Sequence, residues 1–206
     1  MVTLNHIFRQ DGQSNENERF PILLSNIRDA NPTLEDWMLL MSRCNANMSS
    51  IENEEFQNSV HLFSTNENVY NHNKKMLLSL TNPIVRSIIV KKTQSSMDGD
   101  GSDELDMELL LSKDARVMLT SNLWIEAGLV NGALGYVQSI VYRPRNAPPL
   151  PPSYGLVDFD SCFGIPFNGH HPQRVPIPAI DRGNKKQIPL RLAWALTIHK
   201  SQGLTL

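Results

Sequence analysis

A polar stretch at residues 93–104 divides the chain into two parts whose hydrophobic patterns differ. Before it, apolar residues recur at helical spacing, and one segment has the order strand, polar turn, helix. After it, short apolar runs alternate with glycine and proline. The stretch is acidic and contains two glycines, so we interpret it as a flexible loop or domain boundary. The fold must therefore accommodate an α/β segment followed by a strand-rich segment.

The first part predicts an α/β unit. Helices are expected around residues 22–27 and from Thr33, whose hydroxyl can cap a helix together with Asp36 three residues on. The run 61–64 predicts a short buried strand, and Thr65-Asn66 ends it and opens another helix. A strand, a polar turn and a helix in this order form the repeating unit of α/β folds.

The second part predicts a small antiparallel barrel. Strands are expected at residues 116–120, 136–141 and 155–159, and Asn131-Gly132 predicts a turn between the first two. Residues 143–153 are proline-rich and predict an exposed loop. Several short strands joined by glycine and proline turns are typical of small barrels.

The composition argues against several classes of protein. The longest apolar runs are too short to span a bilayer, and the N-terminal residues lack the pattern of a signal or transit peptide. Cys44 and Cys162 lie far apart, which indicates reduced thiols in an intracellular protein and not a disulfide framework.

The net charge of −2 gives the whole chain no basic character, but the charges are unevenly distributed. From Arg143 onwards there are eight Lys/Arg and three Asp/Glu, against eleven and eighteen before it. A polyanionic partner would therefore meet the C-terminal part. The alternative is that these charges form an ordinary solvated surface.

Residues 197–203 carry the strongest functional signal. Hydrogen-bonding side chains follow an apolar run there, and Gly203 permits a tight turn or a close backbone approach. Such groups at the end of a buried strand suit a ligand site at the edge of an α/β sheet. Hydroxyls and backbone amides can hold phosphate oxygens, and Lys200 adds positive charge. The alternative is an ordinary polar loop between a strand and a helix.

The whole segment Leu190–Leu206 resembles motif V of the Pif-type ATP-dependent DNA helicases. These are relatives of RecD in superfamily one, and many are encoded in Helitron transposons. Phe8-Arg9-Gln10 resembles motif IV of the family. Residues 62–66, with Val69 and Asn73, are similar to the family's next strand-and-helix segment.

Residues 117–137 resemble the start of a small barrel that the family carries inside its second motor domain. The similarity rests on Val117–Leu119, Asn122-Leu123, Gly128–Gly132, Gly135 and Val137. The resemblance thus covers nearly the whole chain and is weakest at residues 43–60 and 143–185.

The resemblance implies the C-terminal portion of such a helicase, with an α/β fold. We expect a partial RecA-like second motor domain that contains an inserted small β-barrel of the SH3-like type. The expected segments are 1–92 for the first part of the motor domain, 93–112 for a linker, 113–187 for the barrel and 188–206 for a truncated return to the motor domain.

The resemblance also implies ATP and magnesium as cofactors. Arg9 takes the role of the catalytic motif IV arginine that reaches the nucleotide phosphates, since a guanidinium is always charged and binds phosphate oxygens in a fork. Gln10, Gln202 and Gly203 are expected on the nucleotide side. The chain lacks a Gly-x-x-x-x-Gly-Lys-Ser/Thr loop, so the phosphate-loop and magnesium residues belong to a first motor domain outside it.

By the same resemblance, Thr197, His199, Lys200 and Ser201 are assigned to the backbone of single-stranded DNA. No metal site is expected, since no further ligand candidates accompany His170-His171.

The implied function is a fragment of an ATP-dependent DNA helicase, which translocates on single-stranded DNA and unwinds duplex. Its partners would be single-stranded DNA, forked duplex and the absent first motor domain, without which the chain should not hydrolyse ATP. Repair, recombination, telomere maintenance and transposition remain open as pathways, in the nucleus or mitochondrion if the source is eukaryotic. The alternatives are a non-catalytic single-stranded nucleic-acid-binding remnant and a folded remnant without activity.

Overall fold

The computed structural model describes residues 15–44, 46–57, 59–88, 90–91, 108–143, 152–163, 174–182 and 185–202. The chain divides into two compact units, Met1–Asn58 and Ser59–Leu206. The predicted motif IV segment and the loop at 93–104 lie outside the described residues, as do residues 144–151 of the predicted proline-rich loop. At the ends of that loop, Arg143 is exposed and Pro152 is buried.

The described residues of the N-terminal unit form three helices, α1 (Asn15–Arg28), α2 (Leu34–Ser42) and α3 (Ser50–Gln57). The first two confirm the helices predicted around residues 22–27 and from Thr33. The Thr33 hydroxyl accepts a bond from the Asp36 amide, and the Asp36 carboxylate accepts one from the Thr33 amide. This reciprocal pairing satisfies two amide donors that a helix start would otherwise leave open. Chiefly because of the bond from the Thr33 amide, the pKa of Asp36 is below its ordinary value.

The C-terminal unit begins with the predicted strand, turn and helix, as β1 (His61–Phe63) and α4 (Asn66–Ser79). The prediction that this strand is buried is wrong, since His61 and Leu62 are exposed and Phe63 is half-buried. The side chain of Thr65 caps α4 by accepting a bond from the Asn68 amide at 3.3 Å. Two small antiparallel sheets are formed by the strands β2 (Ile84–Ile88), β3 (Val90–Lys91), β4 (Glu108–Ser112), β9 (Ile180–Arg182) and β10 (Lys185–Gln187). In these, β2 pairs with β4, while β10 lies between β3 and β9.

The largest sheet among the described residues of this unit is five-stranded and antiparallel. Its order is β11-β5-β6-β7-β8, from the strands β5 (Arg116–Leu119), β6 (Leu134–Val141), β7 (Tyr154–Phe159), β8 (Arg174–Pro178) and β11 (Leu190–Leu192). The three strands predicted in this region are confirmed as β5, β6 and β7, and the predicted turn is present with Gly132 at φ +99°.

One apolar core underlies the five-stranded sheet and the ribbon of β2 and β4. Its buried members include Leu77, Leu109, Leu111, Val117, Leu119, Val137, Val157, Phe159, Ile177 and Leu190. The last five residues of the segment 93–112, expected as a linker, form strand β4, and two of its leucines belong to this core. The chain therefore combines helices with parallel and antiparallel strands in a mixed α/β fold.

Both cysteines are free, Cys44 exposed and Cys162 buried. Within the described ranges, no helix has both the length and the apolar character that crossing a membrane requires.

Candidate nucleic-acid interface

The candidate site is built on two short parallel strands from distant parts of the sequence. Strand β12 (Ala195–Thr197) pairs with β1 in parallel, so that Phe63 lies opposite Thr197. Each strand runs directly into a helix, β1 into α4 and β12 into the short helix α5 (Ile198–Ser201). The carboxyl ends of both strands therefore meet at one edge, which is the edge where open α/β sheets bind ligands.

The five described candidates from residues 197–203 lie together at this edge. Thr197 is buried at 6% exposure and precedes α5 without capping it through its side chain. His199 and Lys200 are exposed on α5, and Gln202 is exposed just after it. The Ser201 hydroxyl donates a bond of 2.8 Å to the Ile198 carbonyl. The exposed polar side chains are thus an imidazole, an ammonium and an amide, and the Ser201 hydroxyl is bonded within α5.

The candidates for nucleotide contact are mostly beyond what the structure describes. Arg9, Gln10 and Gly203 lie outside the described residues, so only Gln202 of that group has a known position. The pair His170-His171 also lies outside them. Among the described residues, no group of three or more His, Cys, Asp and Glu side chains is arranged to hold a metal ion.

Sequence reasoning missed a second set of polar groups at the same edge. Ser64, Thr65 and Asn66 are exposed and follow β1, as the motif V residues follow β12. The resemblance included these three residues but gave them no contact role. The signal that could have found them was the shared order in both segments, an apolar strand followed by hydroxyl and amide side chains.

The imidazole of His72 packs behind this edge. Its ring centroid lies 4.5 Å from that of His61 and 5.4 Å from that of Phe63. Its Nε2 atom is buried without a hydrogen-bond partner. Burial lowers the pKa of His72 below its ordinary value, and the neighbouring His61 and Lys75 lower it further. His72 is therefore poorly suited to carry a positive charge toward a phosphate.

Two arginines of the five-stranded sheet, Arg116 and Arg174, form ion pairs with aspartates. Arg116 binds both carboxylate oxygens of Asp160, at 2.8 and 2.5 Å, and Arg174 binds those of Asp158 at 2.7 and 2.8 Å. The Arg116 guanidinium also lies over the ring of Tyr136, 4.5 Å from its centroid. Tyr136 and Trp124 are 37% and 45% exposed.

Comparison with known proteins identifies relatives for part of the chain. No protein-family model matches the sequence. The curated relatives include the ATP-dependent DNA helicase PIF1 of Xenopus laevis, 35% identical over 102 residues, which are 50% of this chain and 15% of that protein. The PIF1 protein of Danio rerio is 37% identical over 107 residues, with 52% of this chain and 16% of that protein covered. The matches thus span about one sixth of the relatives' length.

Solved structures match a larger share of the chain. The Pif1 helicase from Candida albicans superimposes with a TM-score of 0.65 at 26% identity, covering 96% of this chain and 47% of that one. A Bacteroides Pif1 bound to single-stranded DNA has a TM-score of 0.58 at 27% identity, with 97% and 42% covered. Sequence and fold agree on one family: this chain is a homologue of a portion of the Pif1-family DNA helicases.

Proposed function

We propose that this chain is a fragment of an ATP-dependent DNA helicase, and that the edge formed by the ends of β1 and β12 holds the backbone of single-stranded DNA. The observation that carries the proposal is the parallel pairing of the two strands, with Phe63 opposite Thr197. It brings the groups that follow β1 and those that follow β12 to one edge. Solved relatives are described as bound to single-stranded DNA and as unwinding forked duplex, which supports the same partners here.

The protein would contact the single-stranded DNA mainly through the phosphate groups of its backbone. His199 and Lys200 are exposed, and an ammonium group attracts a phosphate wherever the strand lies within reach. The hydroxyl and amide groups of Ser64 and Asn66, also exposed, add hydrogen bonds that fix the register of the backbone without reading bases. Thr197 is buried, so its side chain would contribute little direct contact with DNA.

The fold proposal follows from the chain order. β1 and β12 are neighbours in space, although more than 130 residues separate them, so the five-stranded sheet is inserted between two strands of one layer. This supports a RecA-like second motor domain interrupted by a small SH3-like barrel. We keep the segments 1–92, 93–112, 113–187 and 188–206 as the proposed motor part, linker, barrel and return, except that β4 packs in the core beneath the five-stranded sheet and β11 belongs to that sheet.

ATP would bind at the same motor domain, with Arg9, Gln10, Gln202 and Gly203 facing it. A Bacteroides Pif1 has been solved with ADP-AlF4, which supports nucleotide binding by the family. Guanidinium and amide groups suit phosphate oxygens, whereas none of the four is a carboxylate that would hold magnesium. The magnesium and phosphate-loop residues would come from a first motor domain, so the purified chain is proposed to lack ATP hydrolysis.

The proposal is tested by titrating the chain into a labelled single-stranded oligonucleotide and following fluorescence anisotropy across a salt series. Binding should weaken with salt by a log-log slope of about −0.7 for each phosphate contact. A His199→Ala, Ser201→Ala double variant should bind more weakly. Ser79→Ala is the matched control, because the Ser79 hydroxyl also donates to the carbonyl three residues earlier but lies at the far end of α4, about 20 Å along the helix.

Absence of binding at low salt by the folded chain would overturn the proposed interface. Equal weakening by the control variant would mean that the double variant acts through stability and not through contact. Binding without any ATP hydrolysis also fits the alternative function, a non-catalytic single-stranded nucleic-acid-binding remnant. Supplying a first motor domain in trans separates the two, since only the helicase fragment should then support DNA-stimulated hydrolysis.

A further inference from the structure

We propose that Asn73 is a positioning residue that fixes strand β12 against helix α4 and so sets where the motif V groups stand. The inference rests on the proposed function of the β1–β12 edge. Asn73 lies on α4 and is 6% exposed. Its Oδ1 accepts a bond of 2.8 Å from the Ala195 amide, and its Nδ2 donates bonds of 3.0 Å to the Ala195 carbonyl and 3.4 Å to the Leu192 carbonyl.

The side-chain amide of Asn73 takes the place of a neighbouring strand. On one side, β12 pairs with β1, and the His61 amide donates to the Trp194 carbonyl at 2.8 Å. On the other side, both backbone groups of Ala195 are bonded to Asn73. An amide side chain carries one acceptor and two donors, the groups that a strand edge needs. Ala195 is fully buried, so water does not replace these bonds.

The position of Ala195 determines where the interface residues lie, because β12 is only three residues long and they follow it directly. Thr197 is two residues after Ala195, and α5 starts at the next residue. A slip of one residue in a strand moves every side chain to the opposite face. Holding Ala195 by both backbone groups therefore fixes the start of α5, and with it the positions of His199 and Lys200 relative to the end of β1.

Two variants and one control separate positioning from general stability. Asn73→Leu keeps a similar shape and removes all three bonds, whereas Asn73→Asp keeps the acceptor for the Ala195 amide and removes the donors. Asn71→Leu and Asn71→Asp are the matched controls, because Asn71 is exposed two residues earlier on the same helix. All proteins are first checked for folding by circular dichroism well below their melting temperatures.

The first measurement is hydrogen exchange of the peptide that covers residues 195–202. We expect exchange in Asn73→Leu to be about tenfold faster than in the wild type, the change expected when one or two buried hydrogen bonds are removed. Asn73→Asp should also exchange faster than the wild type, because its second carboxylate oxygen would face the Ala195 and Leu192 carbonyl oxygens, and the Asn71 variants should match the wild type. Wild-type exchange in folded Asn73→Leu and Asn73→Asp would overturn the proposal, whether or not their melting temperatures fall.

The second measurement is the salt dependence of single-stranded DNA binding. If motif V moves from its position, Asn73→Leu should bind fewer phosphates, and its slope should become shallower by about 0.7 for each phosphate that it no longer binds. A purely structural role would lower the melting temperature and leave the affinity and slope of the folded protein unchanged, which would also overturn the proposal. If the wild type itself does not bind, the proposed function fails, and hydrogen exchange alone still decides whether Asn73 positions the strand.

Discussion

At the level of single residues, we expect His72 to make the stability of the fold depend on pH. Its pKa is lowered from an ordinary value of 6.5, chiefly by burial and then by the charges of His61 and Lys75. The unfolded chain therefore takes up a proton at this position before the folded chain does. Stability should be unaffected by His72 well above pH 6.5, and should fall as the pH drops from 6.5 through the lower folded pKa.

We therefore predict that His72→Phe flattens the acid side of the stability profile. Phenylalanine can stay packed beside His61 and Phe63 and binds no proton. The free energy of urea unfolding should be measured between pH 5 and 8 in the wild type, in His72→Phe and in Asn71→Gln, a substitution of the exposed neighbour on the same helix. Equal pH dependence in wild type and His72→Phe would contradict the assignment.

The ion pair between Arg116 and Asp160 leads to a second prediction at the residue level. The Arg116 side chain is 10% exposed and that of Asp160 is 44% exposed. We predict that Asp160→Ala destabilises the protein by about 1–3 kcal/mol, less than for a fully buried pair, because it leaves the guanidinium without its bidentate partner while solvent reaches the site. Thermal unfolding of Asp160→Ala, Arg116→Met and the double variant measures this coupling. Additive effects would show that the two side chains are not energetically coupled and would contradict this prediction.

At the level of elements, the pairing of β6 with β7 depends on a glycine. A Cβ atom on Gly135 would collide with the Asp158 carbonyl oxygen and approach a Val157 methyl group at 2.9 Å. We predict that Gly135→Ala costs about 1–3 kcal/mol, because the two backbones must separate. Gly155→Ala is the matched control on β7, since its Cβ would meet Leu190 at an ordinary 3.6 Å. Chemical denaturation compares the two, and equal destabilisation would contradict the steric explanation.

The helices whose starts are marked by capping residues were predictable from the sequence. The start of α2 is set by the reciprocal bonds between Thr33 and Asp36, and the start of α4 by Thr65, whose hydroxyl accepts a bond from the Asn68 amide. Nothing in the apolar run 188–196 predicted that it would form two strands and not one. In the structure it forms two separate strands, β11 beside β5 and β12 beside β1, because each half meets a different partner.

At the level of the whole molecule, the candidate site was predictable only in part. Residues 197–202 are contiguous, so the sequence alone brought them together. Ser64, Thr65 and Asn66 join them through a parallel pairing between strands more than 130 residues apart, and the link from Asn73 to Ala195 spans 122 residues. Such pairings depend on the core that forms around both strands, and no local pattern encodes their register.

The two compact units bury very different amounts of apolar surface, which leads to a prediction about their local stability. Among the described residues of Met1–Asn58, Leu23 is the one fully buried apolar side chain, while Leu34, Trp37, Met38 and Ile51 are 59–70% exposed. The core beneath the five-stranded sheet belongs to Ser59–Leu206. We predict that amides of α1, α2 and α3 exchange hydrogen through low-energy local opening, and that amides of β5, β6 and β7 exchange only through global unfolding. Hydrogen exchange with mass spectrometry under native conditions measures the protection of the helix amides and of the strand amides. Equal protection of α2 and β6 would contradict this prediction.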